Sequence, residues 1–328
     1  MKNNIYSIFF SVLLSSIIYH LGSLPVAAQQ VSLSLTPPLI ESAISPGKSI
    51  MIAYNLKNNG DPTIINTRVV SFSPMGNLGN IQLKDEATGP VRFSLDNSFL
   101  QLNNPFILKT SEAQQLLLRI RVPDGAPNGD YYYTLLAETQ APPTTEGTVS
   151  TRAKAAIGAN ILVTVTDSGV VEINPKITLF ATKGGFTLNQ NVKIFDSFDK
   201  IPVVLYVQNK GNNLIKPEGS ISLKGNFGET ANFDIVPKNI LAQSERLIEA
   251  TPSSSIDCNG PSCNSPTSVT LSGFFIGTYQ LSTNIGFGEN SPSIFASTIF
   301  YAFPFKVLIG LFVTIAISVY IIKRLASD

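Results

Sequence analysis

Two kinds of hydrophobic pattern divide this chain. Between residues 31 and 302, short apolar stretches alternate with polar positions and stop at Gly, Pro or Asn; near both ends the apolar residues run on without a polar face. Alternation with a period of two marks half-buried strands. The clearest case is residues 114–122 (QQLLLRIRV), where Leu116, Leu118, Ile120 and Val122 share one face and Leu117, Arg119 and Arg121 the other. Residues 49–56 (SIMIAYNL) alternate similarly and stop at Asn58-Asn59-Gly60, a turn in which Asn-Gly supplies positive φ at low cost. Further strands are predicted over 31–36, 64–72, 91–95, 131–138 and 156–166, with loops over 74–89 and 140–152.

After a boundary at residues 166–169 the plan repeats. Strands are predicted over 170–181, 201–208, 219–224, 231–236, 245–249, 278–285 and 293–302. Pro175 inside the first of these marks an edge strand, because proline cannot donate to a ladder. The strand over 201–208 stops at Asn209-Lys210-Gly211, matching the earlier stop at residues 57–60, so the halves read as distant structural repeats. Residues 29–301 exceed one usual domain of about 100–200 residues. The reading is all-β, with two β-sandwiches over 29–167 and 168–301.

The last apolar run, residues 303–322 (FPFKVLIGLFVTIAISVYII), has no polar face, unlike the helix of a soluble core. A span needs about 20 residues to cross roughly 30 Å of hydrocarbon. Residues 307–322 reach that length when 302–305 lie at the interface and Lys306 snorkels. Val307, Leu308, Ile309, Leu311 and Phe312 are the expected anchor, and Lys323 and Arg324 stay cytoplasmic by the positive-inside rule. At the other end, Lys2, the apolar stretch 5–24 and Val26-Ala27-Ala28 fit a signal peptide over 1–28; a retained N-terminal anchor is the competing reading. The expected topology is single-pass in the cell membrane: an exported part, a span over 302–322 and a cytoplasmic tail over 323–328.

Composition narrows the function. Net charge is +1 and 14% of residues are charged, so no nucleic-acid partner is expected. The single histidine is His20, within the expected signal peptide. That excludes Ser-His-Asp and Cys-His catalysis, and His-ligated zinc or iron, from the exported part. Tryptophan, the strongest sugar-stacking ring, is absent, although tyrosine can substitute. No catalytic residue, metal or cofactor is expected. Cys258 and Cys263 (CNGPSC) read as a disulfide closing one short loop; a redox pair would need CxxC spacing. Asp196 and Asp199 (FDSFDK) read as a solvated turn, two carboxylates being too few for a Ca²⁺ site. In the run Tyr131–Tyr133 the rings alternate, and at least one face fills a core. Residues 140–152 read as a mobile hairpin connection rather than a binding loop.

The order PPLIE (37–41), SPGKS (45–49), KNNG (57–60), Gln114-Gln115, VPDGAPNGDYYYTLL (122–136) and IGANILVTV (157–165) resembles the immunoglobulin-like first domain of the WxL-interacting (DUF916-type) proteins. The ending, GTYQLSTNIGFG followed by ASTIFYAFPFKVLIG, is similar to that of related membrane-anchored bacterial surface proteins. The resemblance implies two tandem immunoglobulin-like β-sandwiches followed by one C-terminal transmembrane helix. In that family the first domain is associated with peptidoglycan and the second with a host or partner ligand. These motifs are turns and strand ends, so no binding residue carries over. The expected partners are the lipid bilayer and either peptidoglycan or another envelope protein. The expected role is a non-catalytic surface protein binding cell-wall polymer or a protein; the alternative is an envelope-assembly scaffold that pairs with a partner by strand addition.

Overall fold

The computed structural model describes residues 30–140, 154–189, 192–251, 266–288 and 291–325. The signal-peptide reading, all but the first residue of the expected 140–152 loop, and the Cys258–Cys263 pair lie outside these residues.

The first sandwich contains β1 (Leu33–Thr36), β2 (Leu39–Ile44), β3 (Ser49–Asn58), β4 (Thr63–Met75), β5 (Asn80–Leu83), β6 (Arg92–Leu95), β7 (Phe106–Leu108), β8 (Ala113–Arg121), β9 (Gly129–Gln140) and β10 (Ala156–Val165). One sheet runs β1-β3-β8-β6; the facing sheet runs β2-β10-β9-β4-β5, with β7 also on β4. The alternation in β3 and β8 is satisfied in register: Tyr54 opposes Leu116 and Ile52 opposes Leu118. Tyr54, Leu116, Leu118 and Ile120 join Tyr133 and Ile161 from the other sheet in one buried core. The chain changes sheets at Pro37-Pro38, where missing N–H groups interrupt any ladder. Hence β1 pairs antiparallel with β3, while β2 pairs parallel with β10.

The second sandwich repeats this plan with β11 (Pro175–Thr182), β12 (Phe186–Asn189), β13 (Val192–Phe195), β14 (Ile201–Asn209), β15 (Glu218–Gly225), β16 (Thr230–Ile235), β17 (Glu245–Leu247), β18 (Ala250–Thr251), β19 (Val269–Leu271), β20 (Gly277–Gly286) and β21 (Ile294–Ala302). Its sheets run β11-β14-β17, with β19 on β14, and β12-β13-β21-β20-β15-β16-β18. Here β11 pairs antiparallel with β14 and β13 pairs parallel with β21, as β1 and β2 do in the first sandwich. Its core is separate and gathers Ile201, Leu205, Ile221, Leu281 and Phe300.

The structure corrects several sequence expectations. Strand β11 begins at Pro175 rather than at residue 170, and at that first position the missing N–H costs no ladder bond. Strands β2, β7, β12 and β13 fall where none was expected, and β5 lies inside the expected 74–89 loop. The final helix α1 (Phe305–Leu325) starts later than residue 302, because Ala302 still belongs to β21. Pro304 lies just before it, and its carbonyl accepts the first helical bond from Leu308 N at 3.2 Å. The 21 residues extend about 31 Å at 1.5 Å each, matching the thickness of a hydrocarbon core. Among the described residues, one helix, over Phe305–Arg324, is long and apolar enough to cross a membrane. Val307, Leu308, Ile309, Leu311 and Phe312 lie exposed along it, and Lys323 and Arg324 occupy its last turn.

Candidate binding edge and interdomain cleft

The second sandwich packs on part of the outward face of the first, at the Asp130–Tyr132 end of β9 and at Glu41 of β2. Tyr131 and Tyr133 turn toward the first core, where Tyr133 is fully buried and its hydroxyl donates to Thr88 O at 2.8 Å. Burial pushes the Tyr133 phenol up to about 12. Tyr132 points the other way, stacks on Phe72 at 5.6 Å and ends at the junction. Its hydroxyl donates to Asp130 Oδ2 (3.1 Å) and accepts from Ala242 N (2.8 Å). Burial, then the adjacent Asp130 carboxylate, raises the Tyr132 phenol strongly. Asp130 also accepts from Asn213 Nδ2 at 2.9 Å and from Leu214 N. Thus the tyrosine run fills the core on one face, as expected, and builds an interdomain contact on the other.

Beside this junction lies a cleft of about 330 Å³. One wall is the sheet of the first sandwich, through Leu39, Glu41, Phe72 and Leu162; the other is residues 237–246 of the second, through Ile240, Leu241 and Arg246. Glu41 crosses the mouth to Lys216 Nζ (3.2 Å) and Asn239 Nδ2. Arg246 Nη1 donates to Asn239 O at 2.6 Å. Its guanidinium lies where a Cβ at Gly79 would stand, and desolvation lowers its pKa.

Strand β2 forms the open side of this cleft. Ile40 and Ile44 face the core, while Leu39 and Glu41 face the cleft. Pro38 O accepts from Asn160 N at 2.9 Å, and Asn160 is in register with Leu39. The period of two therefore directs the backbone N–H and C=O of Leu39, Glu41 and Ala43 away from β10. Among the described residues, no strand pairs on that side. The equivalent strand in the second sandwich differs: β13, parallel to β21, carries β12 antiparallel on its outer side.

Asp196 and Asp199 are not a solvated turn. Asp196 is 1% exposed; its Oδ2 accepts from Lys306 N at 2.9 Å and its Oδ1 from Phe198 N at 3.2 Å. Asp199 pairs with Lys306 Nζ. The two carboxylates hold the first turn of α1. Among the described residues, no group of three or more His, Cys, Asp or Glu side chains is placed to hold a metal ion. The periodicity of PPLIE gave no strand signal at β2, and nothing local signals the cover over Tyr132.

No family model matches this chain. No curated protein matches it either. Solved structures that this chain is similar to include the class 5 fimbriae chaperone CfaA, at 10% identity and TM-score 0.39, covering 81% of this chain and 99% of that one. The Salmonella enterica SafA pilin–SafB chaperone complex gives a chain at 11% identity and TM-score 0.36, covering 82% and 98%. The CsuC–CsuE chaperone–tip adhesion subunit complex of Acinetobacter baumannii gives one at 12% and 0.34, covering 83% and 99%. The strand order itself makes the chain an all-β protein of two sandwiches followed by a C-terminal apolar helix.

Proposed function

We propose that this chain is a non-catalytic, membrane-anchored extracytoplasmic protein that captures an extended segment of an envelope protein by strand addition to β2. The observation that carries this reading is the open β2 edge on the interdomain cleft, set beside the closed edge of its counterpart β13. Strand β12 on β13 is an intramolecular picture of what an added strand would do on β2. Main-chain pairing supplies affinity in this mode, and pockets for alternate side chains supply specificity. Each added hydrogen bond contributes about 1 kcal/mol net. The outward groups of Leu39, Glu41 and Ala43 alone therefore bind weakly, and apolar contacts to Leu39, Phe72 and Leu162 carry the rest. The absence of histidine after His20 supports a non-catalytic role. Helix α1, with Lys323 and Arg324 in its last turn, supports the single-pass topology with the sandwiches outside.

The test is an edge substitution in the full chain. Ala43→Pro removes an outward N–H and leaves the β2–β10 ladder intact. It abolishes capture of a solubilised envelope protein while the unfolding midpoint changes little. In the wild-type complex the amides of Leu39, Glu41 and Ala43 gain protection from hydrogen exchange. Retention on cell-wall sacculi that soluble muropeptides reverse, indifferent to Ala43→Pro, would overturn this reading in favour of wall-polymer binding.

A further inference from the structure

The end of the second sandwich nearest α1 carries a cluster of rings that no core uses. Phe227 (74% exposed) lies at the β15–β16 turn and Phe274 (57% exposed) in the β19–β20 loop. Phe198 in the β13–β14 loop, Phe186 at the start of β12 and Phe303 after β21 are each more than half exposed as well. Ladder register puts them at one level. Gly277 and Phe195 are both paired with Ala302, three residues before α1 begins. Phe198 and Phe274 touch with centroids 5.0 Å apart, Phe186 meets Phe305 of the helix at 5.4 Å, and a Cβ on Gly277 would stand 3.4 Å from the Phe227 ring.

This end cannot swing clear of the helix. Phe303 N donates to Phe195 O at 3.0 Å, Lys306 N to Asp196 Oδ2 at 2.9 Å, and Lys306 Nζ pairs with Asp199. Three residues span at most about 10 Å. The rings are thus fixed beside the point where the apolar helix starts. Soluble monomers rarely expose a contiguous apolar patch of this kind, whereas Phe side chains are at home where acyl chains meet headgroups.

We infer that this end of the second sandwich is itself a membrane-docking surface, its Phe side chains seated in the outer-leaflet interface beside the span. The occupant is lipid because the patch is continuous with α1. This inference rests on the membrane reading of α1. It adds that the sandwich is held against the bilayer through a second contact rather than tethered by one helix.

The chain has no tryptophan, so one substitution makes a clean fluorescent reporter. Phe274→Trp, Phe227→Trp, Tyr320→Trp in the span and Phe99→Trp on the first sandwich are each made in the full chain and reconstituted in phosphatidylcholine vesicles. Phe99 is 97% exposed on the first sandwich, so it serves as the aqueous control. Lipids brominated near the headgroup are expected to remove roughly half the emission of the Phe274 and Phe227 reporters and none from the Phe99 reporter. If both base reporters behave like the Phe99 reporter while the Tyr320 reporter is quenched, the span stands and the docking surface is overturned. Base reporters shielded from aqueous iodide yet untouched by brominated lipid would put a second copy on the patch, and also overturn it. If the Tyr320 reporter is unquenched, the membrane reading itself fails and takes this inference with it.

Discussion

Asn58 and Asn209 occupy equivalent places in the two sandwiches and make the same four hydrogen bonds. Asn58 Nδ2 donates to Asp61 O, Leu108 O and Lys109 O, and its Oδ1 accepts from Gly60 N at 2.9 Å. Asn209 Nδ2 donates to Asn213 O, Ile240 O and Leu241 O, and its Oδ1 accepts from Gly211 N, also at 2.9 Å. Both are fully buried. Each ties the end of its strand to a distant segment. The glycine two residues on is needed for space: a Cβ at Gly211 would stand 2.6 Å from Glu172 O, and one at Gly60 would collide with Gln30 O.

Replacing either asparagine by alanine strands buried carbonyls, at about 1–3 kcal/mol for each unsatisfied group after partial relaxation. Asn58→Ala and Asn209→Ala are each expected to lower stability by about 3 kcal/mol, and to add in the double variant because the sites share no partner. Asn→Asp at either position does no better, since a carboxylate cannot donate to three carbonyls. Urea unfolding of the full chain in detergent measures each cost.

The junction contacts of Asp130 and Tyr132 are separable. Asp130→Ala removes the acceptor of Leu214 N, and Tyr132→Phe removes the acceptor of Ala242 N. A loss of about 1.4 kcal/mol raises local exchange about tenfold. Hydrogen exchange is expected to rise at Leu214 in the first variant and at Ala242 in the second, with the two cores unaffected.

Strands β4 and β9 are also joined by Arg68, whose guanidinium donates to both Glu138 oxygens at 2.8 and 3.0 Å. That hydrogen bond holds the Glu138 carboxyl below its ordinary 4.5, against a smaller opposing effect of desolvation. A depressed folded-state pKa means the contribution is complete above 4.5 and is lost as pH falls through the lowered value. The pair is partly exposed, so its worth is at most about 1 kcal/mol. Glu138→Gln is expected to lower the urea midpoint slightly at neutral pH, with the difference from wild type vanishing in acid.

Asp196 sets the joint between sandwich and helix. Asp196→Ala leaves Lys306 N and Phe198 N without their acceptor. Exchange at the Lys306 amide in nanodiscs is expected to rise about tenfold.

How much of this was legible depends on where the cause lies. Strands β3, β8, β9 and β20 are written locally, because their alternating residues face one core and register follows from the pleat. Strand β2 is not. It is short, follows two prolines and finds its partner Asn160 across most of the sandwich, so no neighbouring residue announces it. Tyr132 follows the alternation rule and turns outward, but only the second sandwich decides that the outward face is buried. FDSFDK has the composition of a wet turn; its burial comes from Lys306, over a hundred residues later. The repeated stop at Asn58 and Asn209 was readable as a repeat, while the three-carbonyl clasp at each was not.

The direct run of β21 into α1 has a mechanical side. Strand β21 is gripped by β20 through nine register pairs and by β13 through three. A pull on the first sandwich enters β11 near the junction and leaves through Ala302 at the opposite end, along the strand axes. Tension directed that way strains the rungs flanking β21 together instead of peeling them in succession. A captured partner under tension would be resisted by the whole ladder at once.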